Sequence, residues 1–114
     1  MATNIGPVIV PVKDLDQAKA LYGALLGTEP YADAPYYVGF RVGDQELGLD
    51  PHGHDKGLTS PVAYWEVDDI NGVIKQLTDA GAQTHQEPTD VGGGKLIALL
   101  KDADGNFIGL SQNA

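Results

Sequence analysis

The chain contains no cysteine, so disulfide bonds and thiolate chemistry are excluded. No apolar run approaches the roughly 18 residues that a membrane-spanning helix needs. The residues from Met1 to Gly6 lack the basic segment and apolar stretch of a secretory signal. These absences are compatible with a reducing compartment, and we expect a cytoplasmic protein that does not insert into a membrane.

Positive charge is also scarce. Seven Lys and Arg residues are scattered among 16 Asp and Glu, which gives a formal net charge of −9. Binding to nucleic acid requires clustered cations that neutralise phosphates, and anionic membrane surfaces make the same demand. The composition therefore predicts neither nucleic acid nor a membrane surface as a partner, and the charge chiefly favours solubility.

What is present fits one small domain over residues 1–114. A chain of 114 residues suffices for a single core, and the 42% of hydrophobic residues is an ordinary globular value. We therefore expect a folded protein rather than a disordered one.

The first half begins with a strand followed by a helix. Ile5 to Val12 alternates β-branched residues with others, which predicts a strand. Asp14, with Gln17 three residues later, is typical of a helix N-terminus, and Gly27 is suited to the helix end. The expected apolar face of this helix consists of Leu15, Ala18, Leu21, Tyr22 and Leu25.

The second half repeats this order. Val62 to Val67 predicts a strand, Asp68 or Asp69 a helix cap, and Gly81 a helix end, with an apolar face of Ile70, Val73, Ile74 and Leu77. Three landmarks share a separation of about 54 residues, as expected of a structural repeat. They are Pro7 and Pro61, Asp14 and Asp68, and Gly27 and Gly81.

Further strands follow each helix. Short strands are expected near Thr28 to Tyr31 and Gln83 to Gln86, and longer ones over Tyr36 to Val42, Gln45 to Asp50, Lys95 to Lys101 and Asn106 to Ser111. The predicted fold class is α+β, with two β-α-β-β-β modules that form a curved mixed sheet with a concave cup. Module one covers residues 5–52, a linker 53–60, and module two 61–112.

Strand alternation assigns each residue to the core or to the cup. On the core side we expect Val8, Val10, Val12, Val38, Phe40, Val42, Leu47, Leu49, Ala63, Trp65, Val67, Ile108 and Leu110. Aromatic and polar groups on the cup side form a typical small-molecule site. The predicted ligand-binding residues are Tyr37, Arg41, Asp50, His52, Tyr64, Glu66 and Phe107, and Arg41 and Glu66 are a possible ion pair.

Three segments of the sequence resemble the vicinal oxygen chelate superfamily, which includes glyoxalase I, extradiol dioxygenases and bleomycin-resistance proteins. They are Val10 to Leu21, the helix ending Tyr22-x-x-Leu25-Leu26-Gly27, and the turn Asp102-Ala-Asp-Gly-Asn106 before Phe107-Ile108-Gly109-Leu110. The resemblance covers nearly the whole chain and implies the glyoxalase/bleomycin-resistance-like fold. Members of this fold usually complete the cup by pairing, so we expect a homodimer in which the two chains can swap halves, with a closed monomer as the open alternative. The resemblance does not specify a reaction, because members of one fold differ in chemistry.

Catalytic members of this superfamily bind a divalent metal through His, Glu or Gln. The resemblance places those ligands at Pro7, at or beside Gly48, at Val62 and at Gly109. None of these side chains can coordinate a cation. We therefore predict no metal and no other cofactor, which is closest to the metal-free binding members of the superfamily.

Three functions remain open, and whether the chain is an enzyme is not decided. The first is a binding protein for a small aromatic or cationic molecule. The second is a metal-free isomerase or lyase that uses Glu66, Asp50 or His52 as acid or base. The third is a metal enzyme, such as a dioxygenase of the same superfamily, with ligands at non-standard positions: Glu46, Asp50, His52 and Glu66.

Overall fold

A computed structural model describes residues 2–114. It contains two compact units. The first unit is Pro7–Val62, and the second unit consists of the residues up to Gly6 together with Ala63–Ala114. No helix in the described part of the chain is long and apolar enough to cross a membrane.

The first unit contains one α helix and four strands that pair in the order β2-β3-β4-β1. The β1–β4 pair is parallel, and the other two pairs are antiparallel. A short 3-10 helix, His54–Lys56, follows β4. The elements are β1 (Ala2–Pro11, which begins in the second unit), α1 (Leu15–Leu26), β2 (Ala32–Ala34), β3 (Tyr37–Val42) and β4 (Gln45–Asp50).

The second unit repeats this sequence of elements, with strands in the order β5-β8-β7-β6. The β5–β8 pair is parallel and the others are antiparallel. The predicted chain order β-α-β-β-β, present twice, and the α+β class are confirmed. The elements are β5 (Val62–Val67), α2 (Ile70–Asp79), β6 (Gln83–Asp90), β7 (Leu96–Lys101) and β8 (Phe107–Gln112).

Both helices begin at an aspartate whose side chain accepts a backbone hydrogen bond. The Asp14 carboxylate accepts from the N–H of Gln17 at 3.0 Å, and the Asp69 carboxylate accepts from the N–H of Gly72 at 3.1 Å. The second cap is therefore Asp69 and not Asp68, so the spacing of 54 does not extend to the caps. Helix α1 ends at Gly27, whose φ of 66° is a left-handed conformation that glycine adopts without strain.

Each helix covers a core within its own unit. Helix α1 packs on Val10, Val38, Phe40 and Leu49 through Leu15, Ala18, Tyr22 and Leu26. Helix α2 covers the second core, which consists of Val67, Ile70, Val73, Ala98, Leu100 and Leu110. The alternation of strand residues therefore predicted most of both cores.

Four residues expected in the core are exposed instead. Leu21 and Leu25 have 64% and 72% of their surface exposed, because the buried stripe of α1 continues through Leu26 and leaves these leucines on its flank. Trp65 is 39% exposed, and α2 packs mainly on β6, β7 and β8. Val42 is exposed at the end of β3, beside the Gly43-Asp44 turn.

The cap at Asp14 gives a test of the helix boundary. Asp14→Ala removes the acceptor for the Gln17 N–H, so we expect the free energy of unfolding to fall by about 0.5–2 kcal/mol. Asp14→Asn is the matched control, because asparagine caps about as well as aspartate, and it should retain most of the stability. Urea denaturation followed by circular dichroism measures both. An equal loss in the two variants would contradict the assigned cap.

Candidate functional site

The first unit has a sheet surface opposite α1 with two glycines at its centre. Gly39 on β3 and Gly48 on β4 are directly paired across the antiparallel strands. The next pair on the same face is Arg41 with Glu46, because side chains two residues apart project to the same side. We call the surface formed by Tyr31, Tyr37, Gly39, Arg41, Glu46 and Gly48 the tyrosine face.

Two tyrosine rings cover the bare backbone of these glycines. A Cβ atom at Gly39 would stand 2.9 Å from Cζ of Tyr31, and one at Gly48 would stand 2.7 Å from Cε1 of Tyr37. Cδ1 of Ile9 would be equally close to a Cβ at Gly48, at 2.7 Å. Such distances are shorter than real Cβ contacts, so both rings require glycine beneath them.

Hydrogen bonds connect the polar ends of this face. Nη2 of Arg41 donates to Oε1 of Glu46 at 2.8 Å, and the Tyr31 hydroxyl donates to Oε2 at 3.2 Å. The hydroxyls of Tyr37 and Tyr31 are hydrogen-bonded to each other. The Arg41 guanidinium also lies 4.4 Å from the centroid of the Tyr31 ring, which is a cation–π contact. The result is a preorganised chain of hydroxyls that ends at an ion pair.

This environment keeps both phenols protonated. Burial is the largest cause that raises the pKa of Tyr37, followed by the neighbouring Tyr31 and its hydrogen bond, and then by Glu46 and Asp50. Burial and the Glu46 carboxylate likewise raise the pKa of Tyr31. At neutral pH the two hydroxyls are therefore neutral groups that donate and accept hydrogen bonds.

Asp50 and His52 lie at the end of β4, where the chain enters the 3-10 helix. Asp50 is buried, and its carboxylate accepts from the backbone N–H of His52 and from Nζ of Lys56, both at 2.8 Å. Its backbone carbonyl accepts from the N–H of Val12 and of Gly53. The His52 side chain is exposed, with Nδ1 3.6 Å from a carboxylate oxygen of Asp55. The Asp50 carboxylate thus fastens the loop that carries His52.

The other three predicted contacts belong to the second unit. Tyr64 is buried, and its ring covers Gly109, where a Cβ would stand 2.8 Å from Cγ of the tyrosine. Glu66 lies against Gly6. The Phe107 ring meets His85 edge to face at 4.9 Å, and Nζ of Lys101 lies 5.0 Å from its centroid. Arg41 pairs with Glu46, and its suggested ion pair with Glu66 stays a prediction.

The positions at which the resemblance places metal ligands do not fit a cation. Pro7, Gly48, Val62 and Gly109 have no side-chain donor. At both glycines a tyrosine ring fills the space that a coordinating side chain would need. Within residues 2–114, moreover, no three His, Asp or Glu side chains are grouped closely enough to hold a metal ion. We therefore derive no chemistry through a metal at these positions.

Sequence reasoning missed Tyr31 as a member of the site. The short strand expected near Thr28 to Tyr31 is displaced, since β2 begins at Ala32 and leaves Tyr31 outside it. Tyr31 is instead held by its backbone N–H, which donates to the carbonyl of Gly39 at 2.9 Å. The available signal was the pair of glycines on the same face of adjacent strands, because glycine within a strand often marks a close approach of another group.

A family model described as Glyoxalase/Bleomycin resistance protein/Dioxygenase superfamily matches residues 4–110. The chain belongs to this superfamily. No curated protein matches the sequence.

Solved structures share the fold at low sequence identity. An NAD-dependent benzaldehyde dehydrogenase from Legionella pneumophila has a TM-score of 0.77 at 18% identity, over 95% of this chain and 98% of that chain. A methylmalonyl-CoA epimerase from Streptomyces coelicolor has a TM-score of 0.72 at 18% identity, over 100% and 96%. An Mn(II)-bound glyoxalase from Novosphingobium aromaticivorans has 0.72 at 21%, over 98% of this chain and 39% of that chain. At these identities the likeness shows the fold alone.

The packing of Tyr37 over Gly48 predicts a strong coupling between the two positions. Gly48→Ala places a methyl group against the Tyr37 ring and Ile9, so we expect a loss of about 1–3 kcal/mol in the free energy of unfolding. In a Tyr37→Ala background the same substitution should cost clearly less, because the ring is gone. A double-mutant cycle by urea denaturation measures the coupling. Strictly additive losses would contradict the described contact.

The raised pKa values predict a dependence of stability on alkaline pH. The folded chain retains phenolic protons that an unfolded chain releases near pH 10. The stabilisation is thus complete below about pH 10 and is lost as the pH rises through the folded values. Tyr37→Phe should flatten the decline in unfolding free energy between pH 9 and 11. Tyr36→Phe, outside the hydroxyl chain, is the matched control; an unchanged slope for Tyr37→Phe would refute the assignment.

Proposed function

We propose that this protein binds a small aromatic molecule on the tyrosine face, without a metal at the positions used by catalytic members of its superfamily. The arrangement of Tyr31, Tyr37, Arg41 and Glu46 over two glycines carries the proposal. Planar rings and a few oriented polar groups are what small-molecule sites generally combine.

The exposure of the face supports a ligand with an acidic group. The Tyr31 residue is 47% exposed, and the Arg41 side chain is 53% exposed although it already contacts Glu46. A guanidinium has five N–H donors and binds carboxylates through two parallel hydrogen bonds. Because Tyr31 and Glu46 already hold Arg41 in place, little conformational entropy would be lost on binding. An aromatic carboxylate fits these groups.

The other residues predicted to contact a ligand lie outside the tyrosine face. The Asp50 carboxylate is occupied by Lys56 and the His52 N–H, which favours a role in holding the loop. Ligand contact by His52, Tyr64, Glu66 and Phe107 stays a prediction. An isomerase, lyase or dioxygenase that uses the carboxylates or non-standard metal ligands is the alternative, and the engagement of Glu46 and Asp50 in ion pairs argues against those two as free bases or ligands.

The proposal also includes a homodimer located in the cytoplasm that does not bind nucleic acid. The dimer follows from the superfamily resemblance, and the net charge of −9 disfavours nucleic acid. Light scattering coupled to size exclusion measures the mass, and a monomeric mass would remove the dimer from the proposal.

The binding test uses benzoate as a probe in an NMR titration of the ¹⁵N-labelled protein. We expect saturable shifts at the amides of Tyr31, Gly39 and Gly48. Acetate, which lacks the ring, and benzyl alcohol, which lacks the charge, should each bind at least about tenfold more weakly, since each loses one type of contact.

Two variants complete the binding test. Arg41→Lys should weaken benzoate several-fold, because lysine keeps the charge but loses the planar fork and its stacking. Lys75→Ala removes a cation of an exposed ion pair on α2 and should leave binding unchanged. The absence of saturable shifts on the tyrosine face, or equal binding by Arg41→Lys, would refute the proposed function.

A further inference from the structure

Ser111 on β8 is a buried polar residue that is not among the predicted ligand-binding residues. Only 1% of its surface is exposed, and its Oγ has no hydrogen-bond partner among the described residues. A buried hydroxyl without a partner destabilises the folded state, so such groups are rare in native proteins. Such a hydroxyl is suited to a hydrogen bond with a partner that is not part of the chain.

The neighbours of Ser111 define the chemistry of that partner. In the parallel β5–β8 pair, Ser111 is opposite Glu66, and Gly109 is opposite Tyr64. Paired residues on adjacent strands project to the same face, and the strands lie about 4.8 Å apart. The Ser111 hydroxyl, the Glu66 carboxylate and the Tyr64 ring therefore belong to one face of the second unit.

Glu66 also lies close to β1, the strand on the other side of β5. A Cβ at Gly6 would stand 3.3 Å from Cγ of Glu66 and 3.4 Å from its Oε1. Gly6 lies on β1, which neighbours β5 on the side away from β8. The Glu66 side chain is thus accommodated against the bare backbone of Gly6.

We propose that Ser111 and Glu66 bind the ammonium group of a ligand, next to the ring of Tyr64. A primary ammonium has three donors, so it can bond to Oγ of Ser111 and to the carboxylate while its charge faces the ring. Burial strengthens these interactions because the local dielectric is low. The acidic chain adds a long-range attraction for cations. Its residues belong to the second unit, whereas those of the tyrosine face belong to the first.

The test combines stability without ligand and binding of benzylamine as the probe. Ser111→Ala should leave the melting temperature of the unliganded protein unchanged or raise it, because it removes an unpaired hydroxyl. The same variant should weaken benzylamine about tenfold, by loss of one hydrogen bond to a charged group. Glu66→Gln should weaken it further. Benzyl alcohol, without the charge, should bind wild type more weakly than benzylamine does.

Ser60→Ala is the matched control at an exposed serine and should change neither property. The proposal is overturned if Ser111→Ala lowers the melting temperature, if it binds benzylamine as wild type does, or if wild type binds no benzylamine. If Oγ of Ser111 binds only a water molecule, the Ser111→Ala variant should bind benzylamine as wild type does. Benzoate shifts at Gly39 and Gly48 report on the tyrosine face separately, so the two proposals fail independently.

Discussion

The absence of side chains at Gly39 and Gly48 is the constraint on which the tyrosine face depends. These paired glycines allow Tyr31 and Tyr37 to lie against the backbone of β3 and β4. Only from these positions do the hydroxyls link to each other and to the Glu46 carboxylate, which in turn orients Arg41. The second unit uses the same device at Gly109, beneath Tyr64.

The same arrangement occupies two of the positions at which the superfamily resemblance places metal ligands. Gly48 and Gly109 have no donor side chain, and a tyrosine ring lies over the backbone of each. A carboxylate side chain at Gly48 would therefore meet the Tyr37 ring. The fold is shared with proteins of different chemistry, and function depends on such local substitutions.

Local signals in the sequence predicted the order of elements well. Asp14 and Gly27 bound α1 because a capping carboxylate and a left-handed glycine act over a few residues. Strand alternation gave the correct side of the sheet for Val38, Phe40 and Leu49. Alternation did not predict that Trp65 is exposed, because it identifies the face of a strand residue but not how far a helix covers that face. Alternation could not assign Tyr31 to the site, because this residue lies outside any strand.

Aromatic residues are unevenly divided between the two units. Trp65, the only tryptophan, belongs to the second unit and is 39% exposed, whereas four of the five tyrosines lie in the first unit. Indole emission excited at long wavelength therefore reports on the second unit, and phenol absorbance is dominated by the first. The chain carries its own pair of optical labels, with which the unfolding of one repeat can be followed separately from that of the other.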